Sequence, residues 1–185
     1  MKIPFIHPLV ALGALLMTGL TLAAQNPDSE RITTLLQHTR EHAAKANLDA
    51  EKLESFTRSK LSWQSHSAQL RHMTEDVNEL GKDMSDLTAA RSEGSPWQQE
   101  AIDDINPLLR SQADHMTAMI RHLTENQTLV HMPAYMDYAK ANYELSQKLL
   151  ATINDYIGYA EAKSRTELLE QKLLVTPGAS EGGER

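Results

Sequence analysis

The sequence predicts an all-α protein, an antiparallel up-down-up-down four-helix bundle with coiled-coil-like heptad packing. Three observations predict it: turn-forming residues are scarce, apolar residues recur every three or four positions over long stretches, and the breaks between these stretches are short. Between Asp28 and Thr176 the chain has three glycines and three prolines. A β-rich domain needs a turn roughly every 8–12 residues, usually built from such residues. The middle of the chain therefore predicts long helices.

The first helix is predicted over residues 28–58. Asp28 or Ser29 is the expected N-cap, and Glu30 suits the positive end of the helix dipole. The predicted inner face is rich in alanine, which permits close approach of a neighbouring helix. It comprises Ile32, Leu35, Leu36, Thr39, Ala43, Ala46, Ala50, Leu53 and Phe56.

The second helix, predicted over residues 62–91, carries the clearest heptad pattern. Ser62 is the expected cap, and Gly94 is expected to supply the left-handed backbone that often ends a helix. Two rows of residues each repeat every seven positions, which is the spacing of coiled-coil seams. They are Trp63, Leu70, Val77 and Met84, and His66, Met73, Leu80 and Leu87.

The third helix is predicted over residues 96–130, with Ser95 as its cap and Pro96 in the first helical position. Pro107 lies inside the pattern and removes one backbone donor, so we expect a kink near Asp103–Ile105. The two heptad rows are Ile102, Leu109, Met116, Leu123 and Val130, and Ile105, Gln112, Met119 and Asn126.

The fourth helix, predicted over residues 133–173, begins at Pro133. Its expected inner face comprises Tyr135 or Tyr138, Ala139, Asn142, Leu145, Leu149, Ile153, Tyr156 and Ala160, with a continuation through Leu168, Leu169 and Leu173. Long helices joined by short connections pack as antiparallel neighbours. The alternative is a long helical hairpin that dimerises into a four-stranded coiled coil, so the chain is expected to be a monomer or a homodimer.

Residues 1–24 are predicted to be a signal peptide. Lys2 forms a minimal basic region, an apolar stretch runs from Leu9 to Leu22, and small residues allow cleavage near Ala23 or Ala24. The apolar stretch is shorter than the roughly 20 residues that span a bilayer, although an uncleaved anchor is the alternative. The prediction is a periplasmic or secreted protein without a membrane span after cleavage. The bundle is predicted over 25–175, followed by a disordered tail over 176–185.

The composition excludes several kinds of chemistry. The chain has no cysteine, so disulfides, thiolate metal sites and cysteine nucleophiles are impossible. With 18 basic and 25 acidic residues, the net charge of −7 argues against a nucleic-acid partner. The sequence contains no glycine-rich phosphate loop, no G-x-S-x-G and no H-E-x-x-H. No catalytic residue and no cofactor are predicted.

Several histidines have spacings that resemble those of metal ligands. The motifs at His72–Glu75 and His122–Glu125 flank buried heptad positions, so their side chains are expected to face solvent. His38 and His42 have the i,i+4 spacing of a chelating pair, but no third ligand accompanies them. No metal site is predicted.

One end of the bundle is the candidate site. There the ends of the first and third helices are expected to meet the beginnings of the second and fourth. His66 and Asn126 occupy inward positions and would need hydrogen-bond partners. A small ligand pocket is one interpretation, and a polar layer that fixes helix register is the favoured one. The candidate ligand-binding residues are Trp63, His66, Asn126, Tyr138 and Asn142.

Two short segments carry a resemblance. Leu-Ser-Trp-Gln-Ser-His at 61–66 and Ser-Pro-Trp-Gln-Gln at 95–99, within residues 30–165, resemble exported bacterial helical-bundle proteins with no assigned function. The resemblance implies a signal peptide and a helical bundle, and it carries no catalytic residues. The expected function is non-enzymatic binding of a partner protein or cell-envelope component. A small-ligand or metal-binding bundle is the alternative, and an enzyme with an unrecognised site comes third.

Overall fold

The computed structural model describes residues 26–174, which form four long helices packed against one another. They are α1 (Glu30–Thr57), α2 (Trp63–Ala90), α3 (Pro96–Glu125) and α4 (Pro133–Leu174). Short 3₁₀ turns at Arg91–Glu93 and Gln127–Leu129 lie in two of the connections, and these residues include no β-strand. The prediction of an all-α, four-helix protein is confirmed. The predicted signal peptide, 1–24, and tail, 176–185, lie outside the described residues.

The helices share one core. α1 packs against α2 and α4, and α3 packs against α4 and, less extensively, against α2. On α2 the residues of the two heptad rows are buried, except that Trp63 is partly exposed. The largest side chains that are fully buried come from all four helices. They are Tyr135, Ile32, Leu36, Leu53, Met73, Leu80, Leu87, Ile102, Ile105, Met119, Leu149 and Ile153.

Serine side chains begin α1 and α2 as predicted. Ser29 Oγ accepts a hydrogen bond from the Ile32 N–H, and Ser62 Oγ accepts one from the Ser65 N–H, each at 3.4 Å. These bonds satisfy backbone donors that have no partner within the first turn of a helix. The starts of α1 and α2 are therefore encoded locally, whereas Oγ of Ser95, the predicted cap of α3, has no hydrogen-bond partner among residues 26–174.

The buried face of α4 differs from the predicted one. Its buried residues are Tyr135, Ala139, Asn142, Ser146, Leu149, Ile153 and Ile157. Leu145, Tyr156 and Ala160, which were predicted to be inside, are only partly buried. The predicted continuation of this face is also wrong, because Leu168, Leu169 and Leu173 are exposed. Ser146 is inside because its hydroxyl donates to Asn47 Oδ1 at 3.1 Å and to its own helix, which satisfies the polar group. Hydrophobicity alone could not identify that position.

α3 ends at Glu125, five residues before the predicted end at 130. The backbone N–H and the Nδ2 of Asn126 both donate to the carbonyl of His122, at 2.9 and 3.1 Å. An asparagine side chain that bonds to its own backbone competes with continuation of a helix. Val130 is still buried, although a 3₁₀ turn rather than the helix brings it to the core.

The prediction of a left-handed backbone at Gly94 is wrong. Its backbone is extended, with φ −83° and ψ 156°, and not left-handed. A Cβ atom at this position would lie 2.7 Å from Ile32 Cδ1 and 3.1 Å from Gln98 Cβ. Ile32 is completely buried and so has no room to move aside. A glycine is required here by the close approach of α1 to the α2–α3 connection.

Gln98 joins the beginnings of α1 and α3. Its buried Oε1 accepts hydrogen bonds from the N–H groups of Ser29, at 2.8 Å, and Ser95, at 3.1 Å. Its Nε2 donates to the carbonyl of Ser29 at 2.9 Å and to Thr33 Oγ1 at 3.1 Å. One side chain thus satisfies polar groups at two helix starts, and its bonds to Ser29 join residues that lie 69 positions apart in the sequence.

Replacing Gly94 with alanine should destabilise the fold by about 1–3 kcal/mol, because the added methyl group overpacks the contact with Ile32. Gly158→Ala is the matched control. A Cβ at Gly158, in the interior of α4, meets nothing within 4 Å. That change should stabilise the protein by about 0.5–1 kcal/mol through helix propensity. Urea unfolding of both variants measures the two effects, and shifts of the same sign would contradict this account.

Gln98→Ala should lower the free energy of unfolding by about 2–4 kcal/mol, because it leaves buried donors and acceptors at two helix starts without partners. Gln147→Ala, at an exposed position of α4, should change it by no more than about 0.5 kcal/mol. Denaturant titrations followed by circular dichroism compare the two. Equal effects would show that the Gln98 bonds contribute little.

Candidate functional site

His66 lies at the centre of an aromatic cluster at one end of the molecule. It is completely buried in the first turn of α2. Its ring packs edge-on against Phe56 at the end of α1, with centroids 5.7 Å apart, and against Tyr135 at the start of α4, at 5.3 Å. His131, in the connection before α4, lies 6.0 Å away in the same manner. The end of α1 and the segment that leads into α4 therefore converge on one imidazole.

His122, near the end of α3, extends this arrangement. Its ring stacks on Tyr135 at 6.0 Å and lies tilted against Tyr138 at 5.6 Å. The prediction that His122 faces solvent is wrong, because the tyrosines of α4 cover it. His72, by contrast, has a side chain that is 65% exposed, as predicted. We define the His66 cluster as Phe56, His66, His122, His131, Tyr135 and Tyr138.

Several buried polar atoms in and beside the His66 cluster have no hydrogen-bond partner among residues 26–174. They are both ring nitrogens of His66, Nε2 of His122, the hydroxyl of Tyr135 and Oδ1 of Asn142. The Nδ2 of Asn142 donates to the carbonyl of Tyr138 at 3.0 Å. A buried polar atom without a partner costs about 1–3 kcal/mol. The cluster thus offers donors and acceptors that a small polar molecule would satisfy.

The electrostatics of the cluster favour neutral groups. Burial, followed by the nearby charge of His131, lowers the pKa of His66 from 6.5 to about 4. Burial also raises the pKa of Tyr135 above its ordinary value. At neutral pH the imidazole of His66 and the phenol of Tyr135 are both uncharged. Recognition by these two groups would rest on hydrogen bonds and ring contacts rather than on charge.

The structure brings together only part of the predicted site. His66 and Tyr138 both belong to the His66 cluster, and Asn142 lies one helical turn beyond Tyr138. Trp63 instead lines a separate cleft between α2 and α3. Asn126, predicted to point inward, is only partly buried and its side chain bonds to its own helix.

Four members of the cluster were not among the candidate residues: Phe56, His122, His131 and Tyr135. Tyr135 had a signal in the sequence, since it lies seven positions before Asn142, which lies seven before Leu149. No pattern in the sequence indicated that His122 would be covered, because positions that flank a heptad row are normally exposed. Its burial depends on rings supplied by another helix.

A second feature, the groove between α2 and α3, was not predicted. A cleft of about 730 Å³ has a floor of buried apolar side chains and small or polar residues along its sides. A smaller cleft of about 300 Å³ shares Thr74 and Ile120 with it. We call the two together the α2–α3 groove. Its floor comprises Val77, Met84, Leu109 and Met116, and its sides include Trp63, Gly81, Ser85, Thr88 and Ala113.

The charge of this groove is opposite to that of the whole chain. Among residues 26–174, Arg71 and Arg110 are the charged residues that line it. The chain as a whole has a formal charge of −7. The groove is therefore a basic strip with an apolar floor on an acidic molecule.

The two histidines with i,i+4 spacing do not converge on a metal site. His42 Nδ1 lies 2.7 Å from Asp83 Oδ2, and His38 is exposed. Within residues 26–174 no group of three or more His, Asp or Glu side chains is placed to hold a metal ion. Over the same residues, no helix combines the length and apolar character needed to cross a membrane.

Comparison with known proteins does not assign this chain to a family. No protein-family model, no curated protein and no solved structure matches this chain. The function must therefore be argued from the His66 cluster and the α2–α3 groove.

The low pKa of His66 predicts acid sensitivity. Above pH 6.5 the imidazole is neutral in the folded and unfolded chains alike, and as the pH falls towards 4 only the unfolded chain takes up the proton. The free energy of unfolding should therefore fall by about 2–3 kcal/mol more in the wild type than in His66→Phe between about pH 7 and 4.5. Urea unfolding at both pH values measures the difference. His72→Phe, at an exposed position, is the control and should keep the wild-type pH dependence.

Proposed function

We propose that this protein is an exported, non-enzymatic helical bundle that binds a partner protein or a cell-envelope component. The pattern of residues 1–24, with its basic start, apolar stretch and small residues at Ala23 and Ala24, supports export to the periplasm or beyond. The absence of catalytic motifs from the sequence supports a binding role.

The proposal includes an up-down-up-down arrangement of the helices with heptad packing. Connections of five to seven residues, 58–62, 91–95 and 126–132, support it because they leave little room for a crossover. Contacts at the two ends also support it. Gln98 joins the starts of α1 and α3, whereas His66 joins the end of α1 to the starts of α2 and α4.

The α2–α3 groove is the observation that carries the binding role. We propose that the partner inserts an amphipathic helix into it. Measured along α2, the groove extends from Trp63 to Thr88, which is about 38 Å at the rise of an α-helix. A partner helix would cover floor residues that the bundle itself leaves slightly exposed, such as Val77 and Met84. Small residues on the sides, Gly81 and Ala113, would permit close approach.

The chemistry of the partner follows from the charge of the groove. Arg71 and Arg110 would pair with Asp or Glu beside the apolar face of the incoming helix. A basic helix would be attracted by the acidic surface elsewhere but repelled at the groove. The expected partner segment is therefore acidic and amphipathic.

Site-specific photo-crosslinking tests the groove directly. A photoreactive phenylalanine analogue at Ser85, inside the groove, should crosslink in native envelope extract to one segment with an acidic, amphipathic helical pattern. The same analogue at Ser111, which is exposed on α3 and does not line the groove, is the matched control. Mass spectrometry of the crosslinked peptide identifies the segment. Equal labelling from both positions, or a segment without that pattern, would refute the proposed binding mode.

Charge reversal tests the basic strip. Arg71→Glu combined with Arg110→Glu should abolish the crosslink from Ser85, with at least about a tenfold loss of yield. Arg121→Glu adds negative charge to an exposed position of α3 outside the groove and should leave the yield unchanged. If both substitutions reduce the yield equally, net charge rather than the groove governs binding.

The unpartnered atoms of the His66 cluster favour one alternative, the binding of a small, neutral, polar ligand. Native mass spectrometry of protein purified from its own envelope compartment distinguishes the two functions. A ligand at the cluster adds a defined mass that His66→Phe removes and that Arg71→Glu with Arg110→Glu retains. The same measurement reports the N-terminal residue and hence whether residues 1–24 are removed.

A further inference from the structure

The two arginines of the α2–α3 groove lie on opposite walls, Arg71 on α2 and Arg110 on α3. A contact between the walls relates their heights, because Thr74 Oγ1 lies 3.7 Å from Met116 Sδ. In the antiparallel arrangement proposed above, each step forward along α2 is level with one step back along α3. Arg71 is three residues before Thr74, and Arg110 is six residues before Met116. These displacements point in opposite directions, so the two arginines are offset by nine residues along the groove, about 14 Å.

Neither arginine has an acidic partner within residues 26–174. Arg110 Nε instead donates a hydrogen bond to the neutral side chain of Asn106, at 3.0 Å from Oδ1. By contrast, Lys82, which also lies on α2, is paired with Glu79 at 2.6 Å. The groove thus carries two positive charges that the bundle does not neutralise.

Open space lies across the groove from Arg110. Gly81 is one residue from the matching height on α2, and a Cβ atom at this glycine meets nothing within 4 Å. α2 and α3 also pack against each other less extensively than the other neighbouring helices do. The backbone of a third helix therefore has room to approach between them.

Given the partner helix proposed for the groove, on which this step rests, we infer that this helix carries two acidic residues nine positions apart, one for each arginine. Nine residues make about two and a half turns of an α-helix, so side chains with this spacing lie on opposite flanks. They also rise by about 14 Å, which is the offset of Arg71 and Arg110. A spacing of seven or eleven residues, about two or three full turns, would place both acidic side chains on one flank.

Other charges near the groove would require a different pattern. Arg121 is exposed on α3 and does not line the groove. In the same alignment it is level with Gln69, two residues from Arg71, so a partner that used Arg71 and Arg121 would need acidic residues two positions apart. Asp114, one turn from Arg110, is exposed and also lies outside the groove. Within the described residues, no acidic side chain lines the groove and competes for its arginines.

Synthetic helical peptides test the spacing. Each has about 25 residues, the length of the groove, with leucines on one face and two glutamates among neutral residues. In one peptide the glutamates are nine positions apart, and in its isomer of equal composition they are seven apart, on one flank. Both patterns are made with the leucines on either face between the flanks. In fluorescence anisotropy with the full chain at low salt, the better nine-spaced peptide should bind at least about threefold more tightly than either seven-spaced isomer.

Charge exchange tests whether each acidic residue has its own arginine. Arg110→Glu should weaken binding of the nine-spaced peptide by at least about tenfold, and lysine in place of one glutamate, but not the other, should restore it to within about threefold. The other lysine peptide should restore binding to Arg71→Glu in the same way. Arg121→Glu is the matched control and should bind the original peptide with wild-type affinity. Circular dichroism verifies that all variants remain folded.

Two results would overturn the spacing and leave the groove as a binding site. The first is equal affinity for the nine-spaced and seven-spaced peptides, with both lost in the double variant Arg71→Glu with Arg110→Glu. The second is a loss in Arg121→Glu as large as in Arg110→Glu. If no peptide binds the wild type up to about 500 μM, the spacing is also wrong. The crosslink from Ser85 then decides separately whether the groove holds a partner helix.

Discussion

The contact among Gln98, Gly94 and Ile32 is the constraint on which the register of the bundle depends. Long helices with a heptad pattern can slide past one another by whole turns and still bury apolar residues. At this corner the Gln98 amide satisfies backbone groups at the starts of both α1 and α3 in a single alignment. Gly94 leaves room for Ile32 in that alignment. A slip of one turn would break the hydrogen bonds of Gln98.

The two ends of the molecule use polar groups in opposite ways. At the Gln98 end the buried amide forms four hydrogen bonds and fixes the alignment. At the other end the His66 cluster buries imidazole and phenol groups whose polar atoms lack partners within the described chain. Sequences depart from full polar satisfaction mainly at sites that serve a function. The contrast is one of degree, because Ser95 Oγ beside Gln98 and both amide atoms of Gln112 are also buried without a partner within the described chain.

Much of the fold could be predicted because its signals are local. Each signal lies within a short stretch of sequence. These signals are the serine caps at Ser29 and Ser62, the prolines at Pro96 and Pro133, and the heptad rows of α2 and α3. Some errors arose where a distant segment decided the outcome: Ser146 is buried because its hydroxyl donates a hydrogen bond to Asn47. The candidate site was only partly predicted for the same reason, since α4 covers His122. The early end of α3 is instead a local effect, since Asn126 bonds to the carbonyl of His122 in its own helix.

The sequence by itself determined that the protein is all-helical and where three of its four helices begin and end to within about two residues. Caps, breakers and apolar spacing act within a few residues of one another and need no tertiary partner. Only the tertiary structure decided which polar side chains share a cluster, that α2 and α3 leave a basic groove between them, and that the leucines at the end of α4 are exposed. Those features depend on how closely separate helices approach, and that distance is set by side chains far apart in the sequence.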